Sequence, residues 1–437
     1  MLAQYVKKIH ADTTKIDQSV WTHVQRILRD EALFPNLCDL LWAPASLYSS
    51  ELLLFATPSL RTLEFRYIYA RNFSHRELSN EAPWIASFQM LFSSFLSIAT
   101  GLHTIRISGA DPHLTASFIP KLKAVKSIKI LSTISDTIST QTLAVLAALP
   151  SLERLEFNSV NSGSGDPGFH NLRALIIHEL PAEDDFCTFF RSPHLRSLTI
   201  YNHGSSPPET FQESCRCWAA SFPALEELSC SMEGFLIDYD EPLPPLADLV
   251  NPLLPLSTLT TLDLTCVLPA FAATDASLAP LAQAWPRLTS LVLWDAYTDH
   301  SAALNDPDVP RPPCATPIAL LALARGLPAL RTLSLPGFAA SAADLAPARV
   351  RAYPLLAHGL SELWVGHVDI AEPAFCAVLL DRLFPALEVP EELEERAIYN
   401  GVAAVWWGVL SAYAALKFAR RQEKERRALR RGEGARQ

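Results

Sequence analysis

At 437 residues, with 49% hydrophobic and 19% charged side chains, the chain has ample material for a core and is not globally disordered. Its net charge of −10 is uneven, because from Lys417 onward nine Lys/Arg face three Asp/Glu, which makes the tail +6 and leaves −16 on the preceding 416 residues. An acidic body of that size excludes the nucleic-acid-binding classes, whose phosphate contacts need a basic surface.

In chain order, Met1 to Asp12 has Lys7 and Lys8 but no apolar stretch after them, so no signal peptide is expected. Tyr5–Ile9 reads as a strand already in progress, so the repeat array begins in mid-repeat. Asp17 to Phe34 then reads as a helix, with Trp21, Val24, Ile27 and Leu28 at helical spacing and Asp17 or Ser19 as its cap. Strand and helix alternate from there. Helices are expected at 50–55, 82–99, 115–124, 140–149, 183–191, 209–222, 275–285, 317–326, 341–353 and 372–384. The strands between them repeat one phrase. Leu327 to Leu335 reads L-P-A-L-R-T-L-S-L, and Leu330, Leu333 and Leu335 give the spacing L-x-x-L-x-L, whose last two leucines alternate as on a strand with one buried face. The spacing recurs at Leu60/Leu63/Phe65, Leu102/Ile105/Ile107, Val125/Ile128/Ile130, Leu152/Leu155/Phe157, Leu172/Leu175/Ile177, Leu195/Leu198/Ile200, Leu225/Leu228/Cys230, Leu259/Leu262/Leu264, Leu288/Leu291/Leu293 and Leu360/Leu363/Val365, eleven copies in all. Weaker copies stand at Leu37/Leu40/Trp42 and before Leu387.

These repeats predict an α/β fold, an irregular leucine-rich-repeat solenoid with a curved parallel sheet and helices on its convex side. The helix-to-strand passage is often x-P-x-L, as in Leu149-Pro150-Ser151-Leu152 and Trp285-Pro286-Arg287-Leu288, where proline ends the helix and turns the chain. We assign 1–390 to the solenoid and 391–437 to a C-terminal apolar helix and basic tail. Two stretches read as acidic insertions at one rim: Glu233 to Pro255, with Asp240 among five prolines, and Asp295 to Pro313, with four.

The block F-P-N-L-C-D-L-L-W at Phe34–Trp42, followed by E-L-L-L-F-A-T-P-S-L-R-T-L-E-F at Glu51–Phe65, resembles the F-box leucine-rich-repeat proteins expanded in basidiomycete fungi. The likeness runs through the F-P-A-L and L-P-x-L phrases to about Leu387. The resemblance implies a protein-substrate recognition subunit of a cullin-based, SCF-type ubiquitin ligase. No F-box is visible in the sequence, so a Skp1-like adaptor is implied as partner only where an F-box stands upstream. The nearest echo, Val389-Pro390-Glu391-Glu392-Leu393, lies at the far end and is followed by Glu394-Glu395-Arg396, where an F-box has apolar positions.

No phosphate-binding, zinc-protease or serine-hydrolase signature occurs, and Gly163-Ser164-Gly165-Asp166-Pro167-Gly168 lacks the lysine of a phosphate cradle. The twelve histidines and eight cysteines have no metal-ligand spacing, and the cysteines read as reduced, buried thiols of an intracellular protein, cytoplasmic or nuclear. We therefore expect no enzyme, no cofactor and no metal. Side chains flanking each L-x-L form a ladder across the concave side. They include Glu64, Arg66, Arg106, Lys129, Glu156, Asn158, His178, Tyr201, Asp263, Trp294 and Trp364. The protein-binding candidates are Arg66, Arg106, Tyr201, Asp240, Asp263, Trp294 and Trp364, the two tryptophans foremost because Trp commonly anchors interfaces. Ala397 to Leu416 holds no charge for twenty residues and has two readings. One is a cap over the last repeat; the other is a membrane anchor, for which the length suffices.

Overall fold

The computed structural model describes residues 5–13, 16–28, 32–43, 50–66, 81–108, 119, 121–122, 125, 128–160, 168–180, 190–232, 235, 242–266, 271–295, 313–389 and 404–434. Thirteen strands form a sheet whose order is that of the chain, and the strand pairings are parallel. The architecture is the open, parallel leucine-rich-repeat solenoid with helices expected from the spacing. The chain falls into two compact units, Met1–Asn202 with Ala220–Ala224, and His203–Ala219 with Leu225–Gln437.

In the first unit the strands are β1 (Lys8–Asp12), β2 (Asp39–Ala43), β3 (Thr62–Arg66), β4 (Thr104–Ser108), β5 (Ile130–Ile138), β6 (Arg154–Val160), β7 (Ala174–Ile177) and β8 (Ser197–His203). Helices α1 (Gln18–Leu28), α2 (Glu81–Ile98) and α3 (Thr140–Ala147) and a 3-10 helix at Ser50–Phe55 lie between them. Asp17 caps α1 by accepting from the Ser19 amide at 2.8 Å, and Ser139 caps α3 by accepting from the Thr142 amide at 3.2 Å. On α1, Trp21 is buried, but Ile27 is 66% exposed, so the apolar face is narrower than its sequence spacing suggests. Helix α2 stacks Phe88, Phe92 and Phe95 along one side, with Phe88 edge-on to Phe65 of β3 at 5.8 Å. That contact identifies the leucine face of the strands as the helix-covered face.

Two hydrogen-bond rules set the register. At each repeat the two amides after the anchor leucine converge on one carbonyl of the preceding repeat: Arg61 and Thr62 on Cys38, His103 and Thr104 on Arg61, Lys129 and Ile130 on His103, Glu153 and Arg154 on Lys129. A hydroxyl just before the anchor reaches back as well, Ser59 to the Leu37 carbonyl at 3.0 Å and Ser151 to that of Ile128 at 2.9 Å. Both rules make Ile128 the anchor of its repeat, and Ile105 pairs with Leu131. The expected copy Val125/Ile128/Ile130 is therefore three residues early. The true copy is Ile128/Leu131/Thr133, with all three side chains buried.

The second unit contains β9 (Glu227–Met232), β10 (Thr261–Cys266), β11 (Ser290–Asp295), β12 (Thr332–Ala340) and β13 (Glu362–Ile370). Its helices are α4 (Pro208–Ser221), α5 (Leu246–Val250), α6 (Asp275–Ala284), α7 (Pro317–Gly326), α8 (Pro347–Ala352), α9 (Pro373–Leu383) and α10 (Ala404–Gly434). The passage from α7 to β12 is a turn in which the Leu330 amide donates to the Leu327 carbonyl at 3.1 Å around Pro328. Proline suits that corner because its fixed φ matches the second turn residue. The expected helix at 341–353 is shorter, since Ser341 and Asp344 close a turn on each other's side chains and helix begins only at Pro347.

The stretch 233–255 is not one insertion. Leu246, Leu249, Val250 and Leu253 are buried along α5 and the short 3-10 helix after it, so this half supplies the helical side of its own repeat. Residues 236–241 and 296–312, where the acidic loops were expected, lie outside the described residues, as do most of 115–124, 161–167, 181–189 and 390–403.

Helices α6 and α7 meet at Gly326. A Cβ there would fall 2.7 Å from the Ala282 Cβ and closer still to the Ala282 carbonyl oxygen. Gly326→Ala trades a helix-propensity gain of about 1 kcal/mol for an overpacking cost of about 1–3 kcal/mol against backbone that cannot rotate away. The clash is expected to win, and a melting temperature lower than the parent's checks it.

Candidate protein-binding surface

On the face away from the helices, the side chain between the two apolar residues of each strand forms one row. In the first unit register runs His10, Leu41, Glu64, Arg106, Ser132, Glu156, Ile176, Thr199. A second row lies one pleat further along the strands and includes Arg66, opposite Ser108. Strands are about 4.8 Å apart, so neighbours within a row touch.

Two clusters follow in this unit. Arg66 Nε donates to Glu64 Oε1 at 2.6 Å, and Glu64 is in register with Arg106 on the next strand. Arg66 and Arg106 are exposed. Further along, His178 Nε2 lies 3.0 Å from Glu156 Oε1, and the imidazole stacks on Tyr201 with ring centroids 4.8 Å apart. Tyr201 nevertheless remains 53% exposed. It is a large aromatic side chain held on a strand and backed by a second ring. Lys129 does not belong to the ladder. With the register corrected it precedes β5, where it pairs with Glu153 at 3.2 Å, and the row position falls to Ser132, which is buried.

In the second unit the row is Ser229, Asp263, Val292, Ser334, Trp364. Asp263 Oδ1 accepts from the Thr265 hydroxyl at 2.9 Å and Oδ2 from the Ser229 hydroxyl at 3.3 Å. Burial pushes the carboxyl above the usual carboxylate range, and these two hydrogen bonds pull it partly back. Trp364 is half-buried on the same row, three strands away. Trp294 belongs to the next row, in register with Thr265, and its side chain lies outside the described residues, so the two tryptophans do not share a row. Asp240 lies outside the described residues.

The buried cysteines Cys215, Cys230 and Cys376 have thiols pushed up by burial, Cys376 to about 12, which keeps them protonated and poor as nucleophiles or metal ligands. Among the described residues no group of three or more His, Cys, Asp or Glu could hold a metal ion. Sequence reasoning named Glu156, His178 and Tyr201 separately but not their contact. The available signal was their common offset from L-x-L in adjacent repeats, with His178 and Tyr201 both directly after it.

No family model and no curated protein matches the chain. Solved structures do. An internalin (inlF) from Listeria monocytogenes is 13% identical, with TM-score 0.37 over 88% of this chain and 98% of that one. The yeast Rad7 and Elc1 complex gives 12% identity and TM-score 0.38 over 86% and 82%. The TLR13–ssRNA13 complex gives 13% identity and TM-score 0.33 over 80% of this chain, which spans 42% of that chain's length.

Because the folded-state carboxyl of Asp263 titrates above its unfolded value, protonation stabilises the fold, and this contribution is lost as pH rises from the ordinary carboxylate range through the raised value. Asp263→Asn does not titrate there. The melting temperature of the variant minus that of the parent should therefore fall as pH is lowered through that window. A flat or opposite slope in paired thermal melts would mean that the carboxylate is ionised without penalty.

Proposed function

We propose that this chain is a non-enzymatic protein-recognition scaffold, with 1–390 as the repeat array and 391–437 as its terminal helix and basic tail. The observation that carries this reading is Tyr201, an exposed ring fixed on a strand by the His178 ring beneath it. A rigid aromatic loses little entropy on binding and is the residue type enriched at the energetic centres of interfaces. Arg66 and Arg106, on β3 and β4, add exposed cations to the same open face, and in the second unit we assign a further contact set to Asp263 and Trp364, three strands apart on one row, with Trp294 and Asp240. The fold supports this reading because parallel strands hold these rows rigid.

The likeness of Phe34–Trp42 and Glu51–Phe65 to fungal F-box repeat proteins supports the finer proposal that the recognised protein is a ubiquitin-ligase substrate. Proximity labelling in cells with the parent, with Tyr201→Ala/Arg106→Glu and with Trp364→Ala tests the scaffold reading. A set of proteins lost from a variant whose melting curve is unchanged is the expected result; identical recovery from all three would overturn it. Co-purification with a Skp1-like adaptor tests the ligase reading, using this chain and a form carrying whatever its transcript encodes upstream of Met1. Binding by the extended form alone is expected, and binding by neither removes the ligase role while leaving the scaffold.

A membrane tether through 397–416 has less support. Trp406, Val409, Leu410 and Tyr413 of α10 are buried, and α10 packs on α9 and β13, so these apolar side chains are already covered. Among the described residues no helix is long and apolar enough to cross a membrane. Release of the chain from membranes by carbonate is the expected outcome; retention in the pellet would restore the tether.

A further inference from the structure

Helix α10 changes character along a single face. Trp406, Leu410 and Tyr413 are buried on it, spaced by four and three residues. The same alternation continues as Lys417, Arg420, Lys424, Arg427 and Arg431, spaced by three, four, three and four. Positions three and four apart share a helix face, and this alternation is the seam by which one helix packs on another. Where the cations begin, the last repeat answers them with oxygen. Lys417 Nζ donates to the Leu387 carbonyl at 2.7 Å, and Arg420 meets the buried Asp381 carboxylate with both terminal nitrogens, at 2.6 and 2.5 Å.

Beyond Arg420 the seam outruns its support. Lys424 and Arg427 are exposed, Arg427 pairing with Glu423 of its own helix at 2.8 Å, and Arg431 occupies the next seam position along the backbone. Arg420 to Arg431 covers about 16 Å at 1.5 Å per residue, roughly three turns of helix. We propose that Lys424, Arg427 and Arg431 form a docking seam for an acidic helical segment of a partner protein, with carboxylates at alternating spacings of three and four. Charge complementarity and continuity with the Arg420–Asp381 contact specify carboxylates, since one turn earlier the same seam grips one bidentately. A lipid surface fits less well. Between Ala419 and Ala428 the described side chains of α10 are exposed and include no large apolar residue to bury among acyl chains. This site is separate from the strand rows of the scaffold reading, and either can fail without the other.

The test uses the full chain and a fluorescent helix-forming peptide with Glu at i, i+3, i+7 and i+10, beside the same peptide with Gln. The Glu peptide should bind and the Gln peptide should not. Lys424→Glu/Arg427→Glu/Arg431→Glu should weaken binding by at least about tenfold, as expected when charges across an interface are reversed, while Arg426→Glu, off the seam, changes it by less than about threefold. Circular dichroism and melting curves matching the parent's establish that the variants fold. Equal loss from Arg426→Glu would reduce the seam to diffuse charge and overturn the proposal. So would failure of the Glu peptide to bind, including failure while vesicles of phosphatidylcholine with phosphatidylserine, or a DNA duplex, bind the chain. A dimer of the chain alone, dissociated by the triple variant, would reassign the seam to a second copy.

Discussion

Repeat after repeat is fixed to its predecessor by a fork, in which two successive amides share one backbone carbonyl of the coil before. A carbonyl has two lone pairs, so it can accept both without leaving either donor unsatisfied in a buried place. The fork at Lys7, Cys38, Arg61, His103, Lys129, Glu153 and Arg173, and again at Glu226, Thr260, Thr289 and Arg331, sets where β2–β8 and β10–β13 start. Once the start is set, side-chain alternation decides the rest: leucines turn to the helices and the intervening residues to the open face. The candidate surface is thus a by-product of backbone geometry. Glu64 lies beside Arg106, and Asp263 beside Ser229, because the forks beneath them are in register.

Much of this was legible in the sequence, and the failures have identifiable causes. At 125–133 the chain reads V-K-S-I-K-I-L-S-T, which contains two overlapping copies of the spacing. Apolarity favours Val125/Ile128/Ile130, whereas the structure uses Ile128/Leu131/Thr133 and buries a threonine at a position usually apolar. Hydrogen bonding decided what hydrophobicity could not, since Ser151 stands one residue before its anchor and its hydroxyl requires a partner anchor at Ile128. The slip displaced Lys129 from the ladder. Around 246–253 the dense prolines suggested a loop, yet Pro245 and Pro252 sit where helix starts tolerate a missing amide, and the leucines between them supply the core.

The candidate surface was read in parts. Which residues occupy open-face positions follows from the spacing, so Arg106, Tyr201, Asp263 and Trp364 could be named. Which of them touch depends on pleat and row: Tyr201 acquires a stacking partner in His178, whereas Trp294 and Trp364 fall on different rows. The Arg420–Asp381 pair was hidden for another reason. Asp381 is a lone carboxylate on the buried side of α9, and its partner lies 39 residues downstream on a helix whose apolar half looked sufficient to explain its docking.

The array does not stop cleanly at β13. Leu387 is buried as an anchor and its amide closes the usual turn on Phe384, while the Glu388 amide donates to the Ser361 carbonyl as the first tine of each earlier fork does. The chain thus enters a fourteenth coil, and α10 packs over its start, with the Tyr413 hydroxyl bound to the Phe384 carbonyl and Lys417 to that of Leu387. For anyone wishing to lengthen the solenoid, the start of this coil is the natural splice point. A grafted repeat beginning at Glu388 would find its first acceptor and its first anchor already in register.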